Sequence, residues 1–122
     1  MPLTLPWPKH EIPEIRRYGP FLFNVWRKQV WNGHQRVRLT TTDAVIFRTI
    51  AEAGKEGVTR ADIRREHEEY FGKPWQDDAK KADRVRISNL RRTLKPLHNG
   101  HGSVIRVEPG RTSNETRFYL QI

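Results

Sequence analysis

The segment Ala82–Leu94 constrains the fold more than any other part of the sequence, because it is amphipathic at helical spacing. Ile87, Leu90 and Leu94 fall on one stripe of an α-helix, so a hydrophobic core must cover that side. Pro96 disfavours a helical conformation of the residue before it, which predicts that the helix stops near Lys95. The opposite side carries Lys81, Val85, Ser88, Asn89 and Arg92, with Arg84 and Arg91 at its border.

The exposed side of this helix combines positive charge with short side chains. Between Lys80 and Lys95 there are seven basic residues and a single acid, Asp83. Cations can contact phosphates, and short polar or apolar groups can contact base edges. The alternative is a basic helix that is simply solvated. The rest of the chain distinguishes the two.

Net charge points to a polyanionic partner. The 122 residues include 23 Lys and Arg against 14 Asp and Glu, a formal charge of +9, and the sequence pI is near 10.5. Nucleic acid is favoured over a membrane, because no long basic amphipathic anchor and no run of about 18 apolar residues is present. The start, Met1–Pro8, lacks the pattern of a secretory signal. The absence of cysteine excludes disulfides and thiolate zinc sites and fits a cytoplasmic protein.

The positions of proline and glycine residues predict two regions in the chain. Residues 1–14 contain four of the eight prolines and are interpreted as an extended N-terminal arm, with a loosely ordered tail as the alternative, and residues 15–122 are predicted to form one domain. The domain begins with strand signals at Phe21–Phe23, Gln29–Trp31 and Arg36–Leu39, which predict a small antiparallel sheet. Gly19-Pro20 precedes the first strand, and Asn32-Gly33 is expected to supply the positive φ angles of a hairpin.

The aromatic residues of this region can have one of two roles. They are expected in the core, and the alternative is a stacking platform for nucleic-acid bases. The residues concerned are Tyr18, Phe21, Phe23, Trp26 and Trp31.

Helix-start signals occur twice before the basic helix. Thr40 and Thr59 are each followed three positions later by an aspartate, Asp43 or Asp62, a pattern that caps a helix. The first helix is predicted to end at Gly54 or Gly57, and the second to reach about Tyr70-Phe71. Residues 72–78 form a connector, and Asp77 or Asp78 is expected to cap the third, basic helix. This succession predicts a helix-turn-helix with a long turn.

Two strand signals follow the basic helix. Ser103–Val107 and Arg117–Ile122 flank a polar loop containing Pro109-Gly110, and together they predict a hairpin that forms the wing of a winged helix. The predicted fold class is therefore α+β: a winged helix-turn-helix with an N-terminal antiparallel sheet, three helices and a C-terminal hairpin.

Five pieces occur in an order that resembles the DNA-binding effector domain of OmpR/PhoB-type response regulators. They are Gly19–Phe23, Val37–Thr40, Val58–Ile63, Val85–Leu94 and the hairpin between Ile105 and Leu120. The resemblance spans about Gly19 to Ile122. It implies a four-stranded N-terminal sheet and a third helix that enters the major groove of DNA. The chain departs from the family pattern at Asp83, where an apolar residue is usual, and at Arg117-Phe118, where glycine-tyrosine is usual.

The resemblance also implies DNA-contacting residues. On the third helix these are Lys81, Arg84, Val85, Ser88, Asn89 and Arg92, and on the wing Arg111 or Arg117 is expected at the minor groove. The basic character of the helix adds Lys80 and Arg91 as further candidates. The connector from Gly72 to Asp77 corresponds to the loop that can meet RNA polymerase in the family. A phosphoacceptor receiver domain is not expected, so the domain is predicted to be free-standing.

The function expected from the sequence is sequence-specific binding of double-stranded DNA by a transcriptional regulator. The alternatives are an adaptor that binds RNA polymerase or another regulator, and a non-specific nucleic-acid binder. A second copy of the chain on DNA is a further candidate partner. His67-Glu68 and the pair His98 and His101 lack the partners that metal or acid–base chemistry needs. No catalytic residue, metal or cofactor is expected.

Overall fold

The structure, a computed structural model, describes residues 15–72, 79–97, 104–112 and 115–121, and for 79–85 it describes the backbone alone. The strands are β1 (Ile15–Tyr18), β2 (Phe21–Asn24), β3 (Gln29–Asn32), β4 (Gln35–Arg38), β5 (Val58–Thr59), β6 (Ile105–Glu108) and β7 (Arg117–Leu120). The helices are α1 (Thr41–Ala53), α2 (Arg60–Phe71) and α3 (Ala79–Thr93). Short 3-10 turns follow α1 at Gly54–Glu56 and α3 at Lys95–Leu97.

The N-terminal sheet has four antiparallel strands in the order β1-β2-β3-β4. The three strands predicted from sequence are present, and β1 adds the fourth that the family resemblance implied. Gly19, at φ 57°, lies in the two-residue turn that pairs Tyr18 with Phe21. Such turns require a positive φ that only glycine adopts without strain.

The hairpin between β3 and β4 differs in one detail from the sequence prediction. Asn32 pairs with Gln35, so the turn consists of Gly33 and His34, and only Gly33 has a positive φ, 61°. Asn32 is the last residue of β3, and its side-chain Nδ2 donates a hydrogen bond to the carbonyl oxygen of Leu97. The prediction that Asn32 would take a positive φ is therefore wrong, because the strand register places the turn one residue later, on Gly33 and His34.

Both predicted threonine caps are formed. Thr40 Oγ1 accepts a hydrogen bond from the backbone N–H of Asp43 at 3.1 Å. At α2 the capping box is complete, since Thr59 Oγ1 accepts from Asp62 N–H and Asp62 Oδ2 accepts from Thr59 N–H. These bonds satisfy amide groups that a helix start leaves unpaired. α1 ends at Ala53 and α2 at Phe71, as the sequence predicts, and Gly54 and Gly72 cap their C-terminal ends.

One hydrophobic core joins the N-terminal sheet, the helices and the C-terminal hairpin. Phe23 of β2 packs edge-on against Phe47 of α1, with ring centroids 5.1 Å apart. The aromatic residues of the N-terminal sheet are mostly core: Phe21 and Phe23 are buried, and Tyr18 and Trp26 pack against the core. Trp31 is partly exposed and is not among them.

The stripe of α3 that was predicted to be buried lies in the same core. Ile87, Leu90 and Leu94 are 3%, 0% and 0% exposed. The helix ends at Thr93, and Pro96 lies in the following 3-10 turn.

The C-terminal sheet has a strand that the sequence did not reveal. β5 pairs with β7, so the order is β5-β7-β6 rather than a two-stranded hairpin. Val58 and Thr59 also immediately precede α2, and two residues are too few to show a strand pattern. The predicted arm (1–14), the cap of α3 at Asp77 or Asp78, and His98 and His101 lie outside the described residues.

Candidate nucleic-acid interface

The solvent side of α3 is polar and basic along its described length. Ser88, Asn89, Arg91 and Arg92 are all exposed; Ser88, Asn89 and Arg92 lie away from the buried stripe, and Arg91 lies at its border. The core packing of Leu90 and Leu94 sets this orientation, because a helix with one buried stripe must present its other side outward. The sequence prediction of which side faces solvent is confirmed for these four residues.

The N-terminal half of α3 extends the same surface by helical spacing. Positions 81, 85, 88 and 92 are separated by four, three and four residues, and positions 84, 88 and 91 by four and three. Residues at such separations share one face of a helix. The backbone of these turns is helical, whereas the side chains of Lys80, Lys81, Arg84 and Val85 lie outside what the structure describes, so their part in the surface stays a prediction.

Asn89 presents its amide on this surface. Its backbone carbonyl accepts a hydrogen bond from Thr93 Oγ1 at 3.0 Å. That bond uses the main chain and does not engage the side-chain amide. An exposed carboxamide carries both a donor and an acceptor, the combination that pairs with an adenine edge.

Arg86 points to another side of α3 and was not predicted as a contact. It is partly buried, and its charge acts on Asp43 at the start of α1. Burial raises the pKa of the Asp43 carboxyl above its ordinary value, while the hydrogen bond with Thr40 and the charge of Arg86 oppose that rise. This arginine therefore faces α1 instead of the polar surface.

The tip of the β6–β7 hairpin carries one of the two predicted wing arginines. Arg111 is exposed, and its backbone N–H donates to Glu115 Oε2 at 3.2 Å. The loop folds so tightly that a Cβ atom at Gly110 would overlap Glu115. The glycine thus allows the close approach that holds Arg111 at the tip.

Arg117, the other predicted wing arginine, has a structural contact. Its Nη1 donates to the carbonyl oxygen of Glu56 at 3.0 Å and to that of Gly57 at 3.4 Å. These bonds join β7 to the turn before β5. Because the Arg117 side chain is engaged with these carbonyls, Arg111 in the loop is the better candidate for a minor-groove contact.

A groove of about 350 Å³ separates α3 from the hairpin. Ile87, Val107 and Phe118 form its apolar floor, and the side chains of Arg60, Ser88 and Arg91 lie at its rim. Arg60 is the first residue of α2, which sequence reasoning treated only as part of the helix-start signal. Its position directly after the cap Thr59 could have identified it as a candidate anion contact, because helix N-termini and the cations beside them favour anions.

The described histidines and acids do not form a metal site. In the part of the chain that the structure describes, no three His, Asp or Glu side chains come together as metal ligands. The His67 ring packs on that of Phe71, with centroids 4.4 Å apart. No described helix is long and apolar enough to cross a membrane.

Comparisons with known proteins define the fold. No protein-family model and no curated protein matches the chain. Among solved structures, the DNA-binding domain of CpxR from E. coli superposes with a TM-score of 0.60 at 23% identity, covering 87% of this chain and 94% of that one. The DNA-binding domain of E. coli CadC superposes with a TM-score of 0.66 at 16% identity, covering 91% and 94%.

A third structure contains DNA. The Klebsiella pneumoniae RstA DNA-binding domain in complex with the RstA box superposes with a TM-score of 0.61 at 20% identity, covering 88% of this chain and 97% of that one. The chain is therefore a winged helix-turn-helix of the architecture shared by these three domains. The resemblance to OmpR/PhoB-type effector domains is confirmed at the level of the fold.

Proposed function

We propose that the chain is a sequence-specific, double-stranded DNA-binding transcription regulator that acts in the cytoplasm. The observation that carries the proposal is the orientation of α3. Its apolar stripe is buried, and Ser88, Asn89, Arg91 and Arg92 are exposed beside a hairpin that ends in Arg111. A formal charge of +9 supports a polyanionic partner.

The proposed complex places α3 in the major groove, which is about 12 Å wide and admits one helix. Ser88 and Asn89 are short enough to contact base edges, and Val85 would pack on a thymine methyl. The flanking cations, Lys80, Lys81, Arg84, Arg91 and Arg92, contact phosphates and orient the helix. The hairpin then brings Arg111 to the adjacent minor groove.

Support by similarity comes from the fold. The RstA domain, whose structure contains the RstA box, has the same arrangement of sheet, helices and hairpin. Fold alone does not define function, so the exposed residues of α3 carry the argument.

The direct experiment is selection of bound sites from random duplex DNA. A sequence-specific regulator should enrich one motif, and it should bind that motif at least about a thousandfold more tightly than a scrambled duplex at physiological salt. Enrichment of no motif, with equal affinity for the two duplexes, would assign the chain to non-specific nucleic-acid binding.

An adaptor function is the second candidate. The second half of α2 carries the exposed acids Glu68 and Glu69, a surface suited to a basic protein partner. The connector, residues 73–78, lies outside the described residues. Capture of RNA polymerase by the purified chain in the absence of DNA would favour this candidate, and a second copy on DNA would appear as cooperative binding to paired sites.

A further inference from the structure

A second groove lies on the side of the hairpin away from α3. Neighbouring residues of a strand point to opposite faces of a sheet. Phe118 and Val107 therefore face the groove beside α3, whereas Tyr119 and Arg106 line the second groove. A duplex bound to α3 would leave this second groove uncovered.

The second groove is basic with apolar walls. Its volume is about 570 Å³. Three exposed cations, Arg17, Lys55 and Arg106, lie around it, and the ring of Tyr119 and the edges of the buried Ala51 and Leu120 make up apolar lining. No carboxylate is among the described residues that line it.

Two acids near the groove, Glu108 and Glu52, do not neutralise these cations strongly. Glu108 lies 3.6 Å from Arg106, and both side chains are more than half exposed, so solvent screens the pair. Glu52 is already engaged by other groups, because it accepts hydrogen bonds from Tyr18 at 2.6 Å and forms an ion pair with Arg16 at 2.8 Å.

The tyrosines of the groove are poorly placed to stack on bases. Arg106 covers the Tyr119 ring at 4.7 Å from its centroid, and Gly57 lies so close that a Cβ atom there would be 2.7 Å from the ring. The Tyr18 ring packs edge-on against Phe47, with centroids 6.3 Å apart. Single-stranded nucleic acid binds through exposed aromatic faces, and these rings do not offer them.

The groove also borders a strand edge. β1 is the outer strand of its sheet, and among the described residues no strand pairs with its outer edge. Arg17 and Tyr18 of β1 line the groove. On the same strand Ile15 is 52% exposed. An open strand edge offers backbone donors and acceptors to an extended peptide.

We propose that this second groove binds an extended, acidic segment of a partner protein. Carboxylates of the segment pair with Arg17, Lys55 and Arg106, since arginine forms charge-assisted bonds with carboxylates. Its apolar side chains pack on the apolar lining of the groove, and its backbone lies along β1. The site is independent of α3, so the proposal stands whether or not α3 binds DNA.

The test uses a short fluorescein-labelled peptide in which glutamate alternates with leucine and phenylalanine, and a control peptide with glutamine in place of every glutamate. Binding to the full chain is followed by fluorescence anisotropy. The chain offers a matched pair of variants: Arg17→Gln with Arg106→Gln in the groove, and Arg91→Gln with Arg92→Gln on α3. Both remove two exposed arginines and change the net charge equally.

We expect the glutamate peptide to bind, the groove variant to weaken it by about tenfold or more, and the α3 variant to leave it nearly unchanged. Saturation of the chain with duplex DNA should not displace the peptide. Thermal melting checks that the variants are folded, and Lys55→Glu, a single exposed change, serves if the double variant is not.

Three results would overturn the proposal. The first is equal binding of the glutamate and glutamine peptides. The second is loss of binding in the α3 variant instead of the groove variant, which would place the peptide on the general basic surface. The third is tighter binding of a short oligodeoxythymidine than of the peptide, with the same dependence on Arg17 and Arg106, which would assign the groove to nucleic acid.

Discussion

A hydrogen bond between Asn32 and Leu97 joins the N-terminal sheet to the turn that follows α3. The Asn32 side chain, at the end of β3, donates a hydrogen bond to the backbone carbonyl of Leu97, in the turn that follows α3. Leu97 is itself fully buried. The N-terminal sheet thereby holds the C-terminal end of the helix that carries the candidate interface.

Removing this bond should destabilise the fold. We expect Asn32→Ala to lower the free energy of unfolding by about 1 to 3 kcal/mol, because the Leu97 carbonyl loses its partner in a partly buried site. Urea denaturation measures the change. Gln35→Ala is the matched control, since Gln35 pairs with Asn32 across the hairpin and is exposed. Equal, small effects of the two substitutions would show that the bond contributes nothing.

Substitutions on the buried side of α3 should destabilise the fold far more than substitutions on its exposed side. Leu90→Ala should cost about 2 to 5 kcal/mol, because a fully buried leucine loses its transfer free energy and leaves a cavity. Ser88→Ala, two residues away on the exposed side, should change stability by less than about 0.5 kcal/mol. Thermal and urea unfolding test both. A melt of Leu90→Ala identical to that of the parent would contradict the described orientation of α3.

The cations of α3 should contribute to DNA binding through salt-dependent phosphate contacts. If Arg92 contacts one phosphate, Arg92→Gln should reduce the slope of log affinity against log salt by roughly 0.9. The same change is expected for Lys80 and Lys81. Lys55→Gln, an exposed cation on the other side of the hairpin, is the control and should leave the slope unchanged. If both the salt slope and the affinity are unchanged in all three α3 variants, α3 is not part of the DNA interface.

Asn89 is expected to read sequence. Asn89→Ala should relax base preference at one position of the selected site, at a cost of about 1 to 3 kcal/mol against the preferred base. The measurement is binding to the selected site and to each of its single-base variants. An affinity that falls evenly across this panel would make Asn89 a phosphate contact, and specificity would then be sought at Arg84, Ser88 or the hairpin.

Asp43 and Asp62 occupy the same position of α1 and α2, and their pKa values move in opposite directions. The hydrogen bond from the Thr59 backbone N–H is the main cause that lowers the pKa of Asp62, whereas burial raises the pKa of Asp43. A lowered carboxyl pKa gives stability that is present above the ordinary value, about 4, and is lost as the pH falls through the folded value. A raised pKa has the opposite effect, since protonation on acidification relieves the cost of the buried charge.

We therefore expect opposite pH slopes from two matched substitutions. Relative to the parent, Asp62→Asn should be less stable near neutral pH, and this deficit should shrink on acidification. For Asp43→Asn we expect the opposite: the stability of the parent relative to the variant should increase as the pH falls. Urea unfolding between about pH 3 and about pH 7 measures both. Parallel curves for the two variants would contradict the assigned shifts.

Local signals in the sequence specify the helices and the side of α3 that is buried. Threonine caps, terminal glycines and the apolar spacing of Ile87, Leu90 and Leu94 are local signals, and each element could be predicted because its own residues specify it. Together with the net charge, they also indicated nucleic acid as the partner.

The contacts between distant segments follow from the three-dimensional packing and could not be predicted from local patterns. β5 exists because Val58 and Thr59 meet β7, and Arg117 binds the carbonyls of Glu56 and Gly57 about sixty positions away. The hydrogen bond from the Asn32 side chain to Leu97 likewise joins segments that are far apart in the sequence. Such contacts depend on which surfaces the shared core brings together, and packing is a property of the whole fold that no local pattern encodes.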